Sequence, residues 1–161
     1  MSCVTWCQYD GVIPDKIDPD SDLEEWAIVI ATLSNWAHNN LLKAFETDTP
    51  YIPTQFYFAV MTTASDVDNP GTELTLGGYA RVPASFERVS NIQRWNVSSV
   101  TTPAASVEWP TIAGFTLWDD ANIGGGNYWG YGNVDEAFSV AVGDAIKWQA
   151  NRVAVGLTAS G

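Results

Sequence analysis

Beyond residue 53 the chain alternates apolar and polar positions at the two-residue period of a strand, which places successive side chains on opposite faces of a sheet. The alternation is clearest near the C-terminus, in Phe138, Val140 and Val142, then Ile146 and Trp148, then Val153, Val155 and Leu157. In "TQFYFAVMTT", Phe56, Phe58 and Val60 share one face and Tyr57, Ala59 and Met61 the other. Both faces are apolar, so this strand belongs at the centre of a sheet or at a subunit contact. Further strands are predicted in "YARVPASFERV", "IQRWNVSS", "VEWP", "IAGFTLWDD", "NYWGYGNV", "AFSVAV", "AIKWQAN" and "RVAVGLT". Pro83 interrupts one of them. A proline cannot donate to a ladder, so it marks a sheet edge or a bulge. Some eight strands joined by short Gly, Asn and Asp turns predict a mainly β protein, an antiparallel β-sandwich or jelly roll.

The pattern changes upstream. Ala37, Leu41, Leu42 and Phe45 recur at helical spacing, with Pro50 and Pro53 just beyond, which predicts a short amphipathic helix over 34–46. Before it, Ser21 and Glu24 have the spacing of a capping box, whereas "AIVIATL" is β-branched and suits a strand. Residues 26–33 stay open between helix and strand. Residues 1–25 hold seven acids (Asp10, Asp15, Asp18, Asp20, Asp22, Glu24 and Glu25) against Lys16 alone, the composition of an extended acidic arm. The expected organisation is an arm and linker over 1–33, then a single β-sandwich domain over 34–161 that begins with the helix. The arm either folds on its own domain or lies across a neighbouring subunit.

Composition narrows the partners. Hydrophobic residues make up 46% of the chain and charged residues only 16%, with eight tryptophans. A surface so poor in charge and rich in aromatic side chains points to burial against other chains. A homo-oligomer is expected, a trimer among its forms. The net charge of −12 lacks the positive field that gathers around phosphates, which argues against nucleic acid. No run reaches the about 18 apolar residues of a membrane span, and the start "MSCVTWCQYDG" has no secretion-signal pattern, so no membrane partner is expected and synthesis in the cytoplasm is expected.

Candidate chemistry is sparse. In "FTLWDDANIGGGNYWGYG", three glycines follow two aspartates, but no Lys or Arg lies between Arg94 and Lys147 and the next element is a strand, so a phosphate cradle is excluded. Asp119, Asp120 and Asn122 offer oxygens to calcium without the spacing of a dedicated calcium loop. A hairpin turn in which Asn and Gly accept left-handed angles is the simpler reading. Asp66, Asp68 and Glu73 could be paired carboxylates, but "NPG" marks a turn, and solvated acids have no evident means of separating their pKa values. His38, the single histidine, has no G-x-S-x-G partner, and Cys3 and Cys7 fall too short of four ligands for zinc. Free thiols are the default there, with a disulfide within or between chains the alternative. Trp118, Trp129 and Tyr131, with Asp119 and Asp120, could form a stacking platform for a surface glycan, although aromatic residues in strands more often pack. No catalytic residue, cofactor or metal is assigned.

The order "NWAHNNLLKAF", "PYIPTQFYFAVMTTASD", "GTELTLGGYARV", "VEWP", "IAGFTLWDDANIGGGNYWGYG", "VAVGDAIKW" and "RVAVGLT" resembles a family of small virion proteins of tailed bacteriophages, labelled tail fibre proteins. The resemblance runs from about residue 34 to 158 and rests on "GGYAR" (Gly77 to Arg81) together with "GFTLWDD" (Gly114 to Asp120). It implies a non-enzymatic, β-rich structural protein of the virion, with major capsid or tail proteins as partners and no catalytic residues to carry over. The acidic leader and "SDLEEWAIVIATL" depart from the family pattern. A host-range fibre needs length from coiled coil or repeats, and neither is visible. Capsid decoration is therefore the first expected placement and tail or fibre attachment the second.

Overall fold

In a computed structural model that describes residues 3–5, 29–46, 48–88 and 93–156, the β-branched run "VIATL" forms a strand in the middle of a sheet rather than the start of a helix. The acids from Asp10 to Glu25, the capping-box pair Ser21 and Glu24, Cys7 and Leu157 lie outside the described residues. The strands are β1 (Cys3–Thr5), β2 (Val29–Leu33), β3 (Phe56–Met61), β4 (Val82–Ala84), β5 (Phe86–Arg88), β6 (Gln93–Asn96), β7 (Val100–Thr101), β8 (Trp109–Trp118), β9 (Tyr128–Val140), β10 (Ala145–Trp148) and β11 (Val153–Gly156). One helix, α1 (Asn35–Leu42), runs into a 3-10 turn over Lys43–Phe45. Among the described residues the chain is mainly β with one short helix, as expected. No helix among the described residues is long and apolar enough to cross a membrane.

Eight strands form one sheet in the order β4-β3-β8-β9-β2-β11-β6-β5, and three form a second, β1-β10-β7. Pairing is mostly antiparallel; β1 with β10 and β2 with β11 are parallel. The two edges of the large sheet, β4 and β5, are separated in the chain by Ser85 alone, so the sheet curls until it is nearly closed. Phe86 spans the seam, edge-on to Phe56 and to Phe58 at 6.0 Å each. The small sheet fills the hollow: Trp148 of β10 lies 5.0 Å from Phe58 and 5.9 Å from Phe115. Burial of these rings with Val60, Ile112, Leu117, Val140 and Ile146 makes one core between two sheets, the arrangement of the sandwich class.

Strand β3 is internal, between β4 and β8, and Phe58 to Met61 are buried on both faces. Pro83 falls on β4, at the edge, where its missing N–H leaves no gap in a ladder. The pieces "VEWP" and "IAGFTLWDD" prove to be one strand, as do "NYWGYGNV" and "AFSVAV". They read as separate because register shifts between Trp109 and Ile112 and between Ile112 and Gly114 break the alternation.

The helix starts where Ser34 caps it: its Oγ accepts from Ala37 N at 3.1 Å and donates to the Tyr128 carbonyl. Its apolar stripe, however, does not face the core. Ala37 is buried, but Leu41, Leu42 and Phe45 are exposed. What anchors α1 is polar and aromatic. Asn40, buried, donates to Tyr51 O at 2.7 Å and accepts from Tyr51 N at 2.9 Å, and Trp36 meets Trp129 edge-on at 5.1 Å.

Candidate functional site

The loop between β8 and β9 is closed by its own acids. Asp119 Oδ1 accepts from Asn127 N at 2.6 Å, and Oδ2 accepts from Asn127 Nδ2 at 2.9 Å and from the Trp129 indole at 3.0 Å. Asp120 Oδ1 accepts from Asn122 N and Nδ2 at 2.7 and 2.9 Å. Burial pushes the Asp119 carboxyl up, but the donors from Asn127 and Trp129 outweigh it and hold its pKa below the ordinary 3.8. Gly124 and Gly126 have φ of 78° and 80°, the left-handed angles that a reversal of this kind assigns to glycine. The stretch is a hairpin loop, as the sequence suggests.

A second loop is fastened against it. Residues 72–74 run back beside β3, with Thr62 N donating to Thr72 O and Leu74 N to Val60 O. That return brings Glu73 to Arg81, eight positions on. The guanidinium donates through Nε to Glu73 Oε1 at 2.8 Å and through Nη2 to Oε2 at 2.7 Å, a two-pronged ion pair. Its Nη1 donates to the carbonyls of Asp120 and Gly125 at 2.8 and 2.9 Å. Its Cζ lies 4.3 Å from the centre of the Trp118 ring, within cation–π range. Tyr79 donates its hydroxyl to Glu73 Oε1 at 2.7 Å and accepts from Val60 N at 3.1 Å. Burial, with the charge of Glu73 beside it, drives the Tyr79 phenol well above its ordinary 10.0. Thus Glu73, Tyr79 and Arg81 bind β3, β8 and the glycine loop into one unit, with the Arg81 side chain fully buried.

Other acids weighed from the sequence accept internal hydrogen bonds. Asp66 Oδ1 accepts from Asp68 N and Asn69 N, which shapes the Asn-Pro-Gly turn. Asp68 accepts from Asn35 Nδ2 at 2.8 Å. Ser65 and Asn133 exchange hydrogen bonds at 2.8 Å, and Tyr128 donates to Asp66 O at 2.7 Å. The loop is therefore fastened across β9 rather than merely solvated. His38 sits on α1 and Cys3 on β1, a strand of the small sheet.

The three aromatic residues considered as a platform do not share one surface. Trp129 is buried between Trp36 and Phe56, with its indole N–H on Asp119. Trp118 carries Arg81 on its ring and donates to Thr116 Oγ1 at 2.8 Å. The Tyr128 ring lies between the other two, 5.7 Å from Trp118 and 6.5 Å from Tyr131.

The hub at Arg81 was not read from the sequence. One signal could have found it: in a chain with seven basic residues against 19 acids, an arginine eight positions from a glutamate, preceded by Gly-Gly-Tyr-Ala and followed by a strand, invites a buried pair.

The chain is a mainly β body whose loops are locked by the buried Arg81–Glu73 pair. Residues 32–156 match the family described as podophage GP4 fiber I protein gp80, and the chain belongs to that family. The resemblance to tailed-phage structural proteins is thereby borne out. Comparison with curated proteins brings no match.

Proposed function

We propose that this chain is a non-catalytic structural component of a tailed-phage virion, attached to its fibre or tail apparatus and assembled with other virion proteins. The carrying observation is the family match over residues 32–156, which takes in β3 to β11 and the whole Arg81 network. Of the two placements expected from the sequence, the family description favours fibre or tail attachment over capsid decoration. The geometry supports a non-enzymatic role: the carboxylates of Glu73, Asp119 and Asp120 serve as acceptors for internal donors. In this reading the body comprises residues 34–161 together with β1 and β2, which pair with β10 and with β11 and β9.

Immunogold labelling of intact particles with antibody against the purified chain tests the placement. Gold confined to fibres or the tail apparatus is expected. Gold spread over the capsid faces, or particles that lack the chain altogether, would overturn it.

A further inference from the structure

Charge is unevenly shared between the arm and the sheet. Residues 1–25 hold seven acids against Lys16, whereas the four neighbouring strands β2, β11, β6 and β5 carry one acid, Glu87. Against it stand Arg88 on β5, Arg94 on β6 and Arg152 just before β11, three of the seven basic residues of the chain. Arg88 and Arg94 are exposed and lie directly opposite each other across the β5–β6 ladder. Like charges so placed repel, and carboxylates laid over both relieve that repulsion. Glu87 projects to the other face of β5, because adjacent strand residues alternate.

The topology names the source of such carboxylates. Strand β1 is held on β10, and β2 lies between β9 and β11, so residues 6–28 are tied to the body at both ends. Val29 pairs in parallel with Val153, so β2 begins beside Arg152, and Glu25 lies four positions earlier in the chain. From β2 to β5 is three strand spacings, about 14 Å, a reach that about five extended residues cover. A segment tethered in this way meets its own body at an effective concentration on the order of mM. A second copy is disfavoured, since two chains of −12 repel on approach. We infer that Arg88 and Arg94 form a docking surface for an acidic peptide, and that its occupant is this chain's own segment from Asp10 to Glu25. Of the two courses open to the arm, its own domain and a neighbouring subunit, this is the first.

Lys16 is the one trypsin site within that segment, and the rate of its cleavage reads the population of undocked segment. The test is trypsin digestion of the full chain, with the cut after Lys16 followed by mass spectrometry. Arg88→Glu/Arg94→Glu should be cut at least about fivefold faster than wild type, the scale of two exposed ion pairs lost. Arg88→Gln/Arg94→Gln, which removes the charge without reversing it, should shift the same way with an unchanged circular dichroism spectrum. Asp22→Asn/Glu24→Gln/Glu25→Gln should also speed the cut, and its combination with the arginine variants should gain less than the product of the two effects. A wild type cut as fast as the arginine variants overturns the inference, as do fully multiplicative effects. So does protection that rises with protein concentration, the mark of a segment lying on a second copy. The docking is independent of where in the particle the chain sits: gold on the capsid would leave it standing, and an unprotected Lys16 would leave the fibre placement standing.

Discussion

Replacing Arg81 with leucine removes the side chain that ties Glu73, Trp118 and the glycine loop together. The guanidinium is fully buried, makes four hydrogen bonds between 2.7 and 2.9 Å and lies over Trp118. Its loss leaves the Glu73 carboxylate, 10% exposed, without its counter-charge and the carbonyls of Asp120 and Gly125 without these donors. Breaking one side of a buried pair costs about 3–5 kcal/mol, because the remaining charge is neither hydrated nor paired. For a domain of this size each kcal/mol shifts the melting temperature by about 2–4 °C, so a fall on the order of 10 °C is expected. Urea unfolding followed by circular dichroism measures the free energy directly. Glu73→Leu should cost a similar amount, and Arg81→Leu/Glu73→Leu less than the two singles together, with an interaction energy of about 2–3 kcal/mol. The second loss is small once no buried charge remains. An Arg81→Leu cost below about 1 kcal/mol, the value of an exposed pair, would refute the reasoning, as would strictly additive singles.

Two further outcomes follow from the glycine loop. The Asp119 carboxyl has a folded-state pKa below its ordinary 3.8, so the stability it lends is fully present above that value and is lost as pH falls through the folded pKa. The difference in melting temperature between wild type and Asp119→Ala should therefore be constant from pH 7 to about pH 5 and shrink below pH 4; a gap that stays constant down to pH 2 contradicts the role of the charge. The glycines should separate as well. Gly124 has φ of 78° and open space where an alanine methyl would stand, so Gly124→Ala carries only the left-handed backbone penalty of about 1–2 kcal/mol. At Gly126 a Cβ would stand 2.5 Å from Asp119 Oδ1 and 2.6 Å from Asp120 Cβ, so Gly126→Ala should be at least about 1 kcal/mol worse in the same urea assay; equal costs would mean that the loop yields freely.

Much of this architecture is written in short-range pattern. Alternation in Ala145–Trp148 marks a strand because a pleated backbone repeats every two residues whatever its neighbours are. Ser34 marks the helix start because a cap bonds within its own turn, and the loop at Asp119 is legible because eight residues separate its acid from the Asn127 amide. Pro83 announces an edge by lacking a donor. None of these requires knowledge of a distant residue.

What only the tertiary structure decided is whatever depends on which segments meet. Periodicity shows that Leu41, Leu42 and Phe45 share a helix face but not whether that face turns inward; the polar bonds of Asn40 to Tyr51 and the seat of Trp36 on Trp129 turn it outward. Sequence alone leaves Trp129 open to stacking or packing, with packing the commoner outcome, and the edge-on rings of Trp36 and Phe56 enclose it. The partner of Arg81 is fixed by a loop that returns beside β3 and by a glycine turn some forty residues downstream. Such pairings follow from closure of the sheet, and local sequence carries no record of that closure because burial is a property of the assembled fold, not of any single segment.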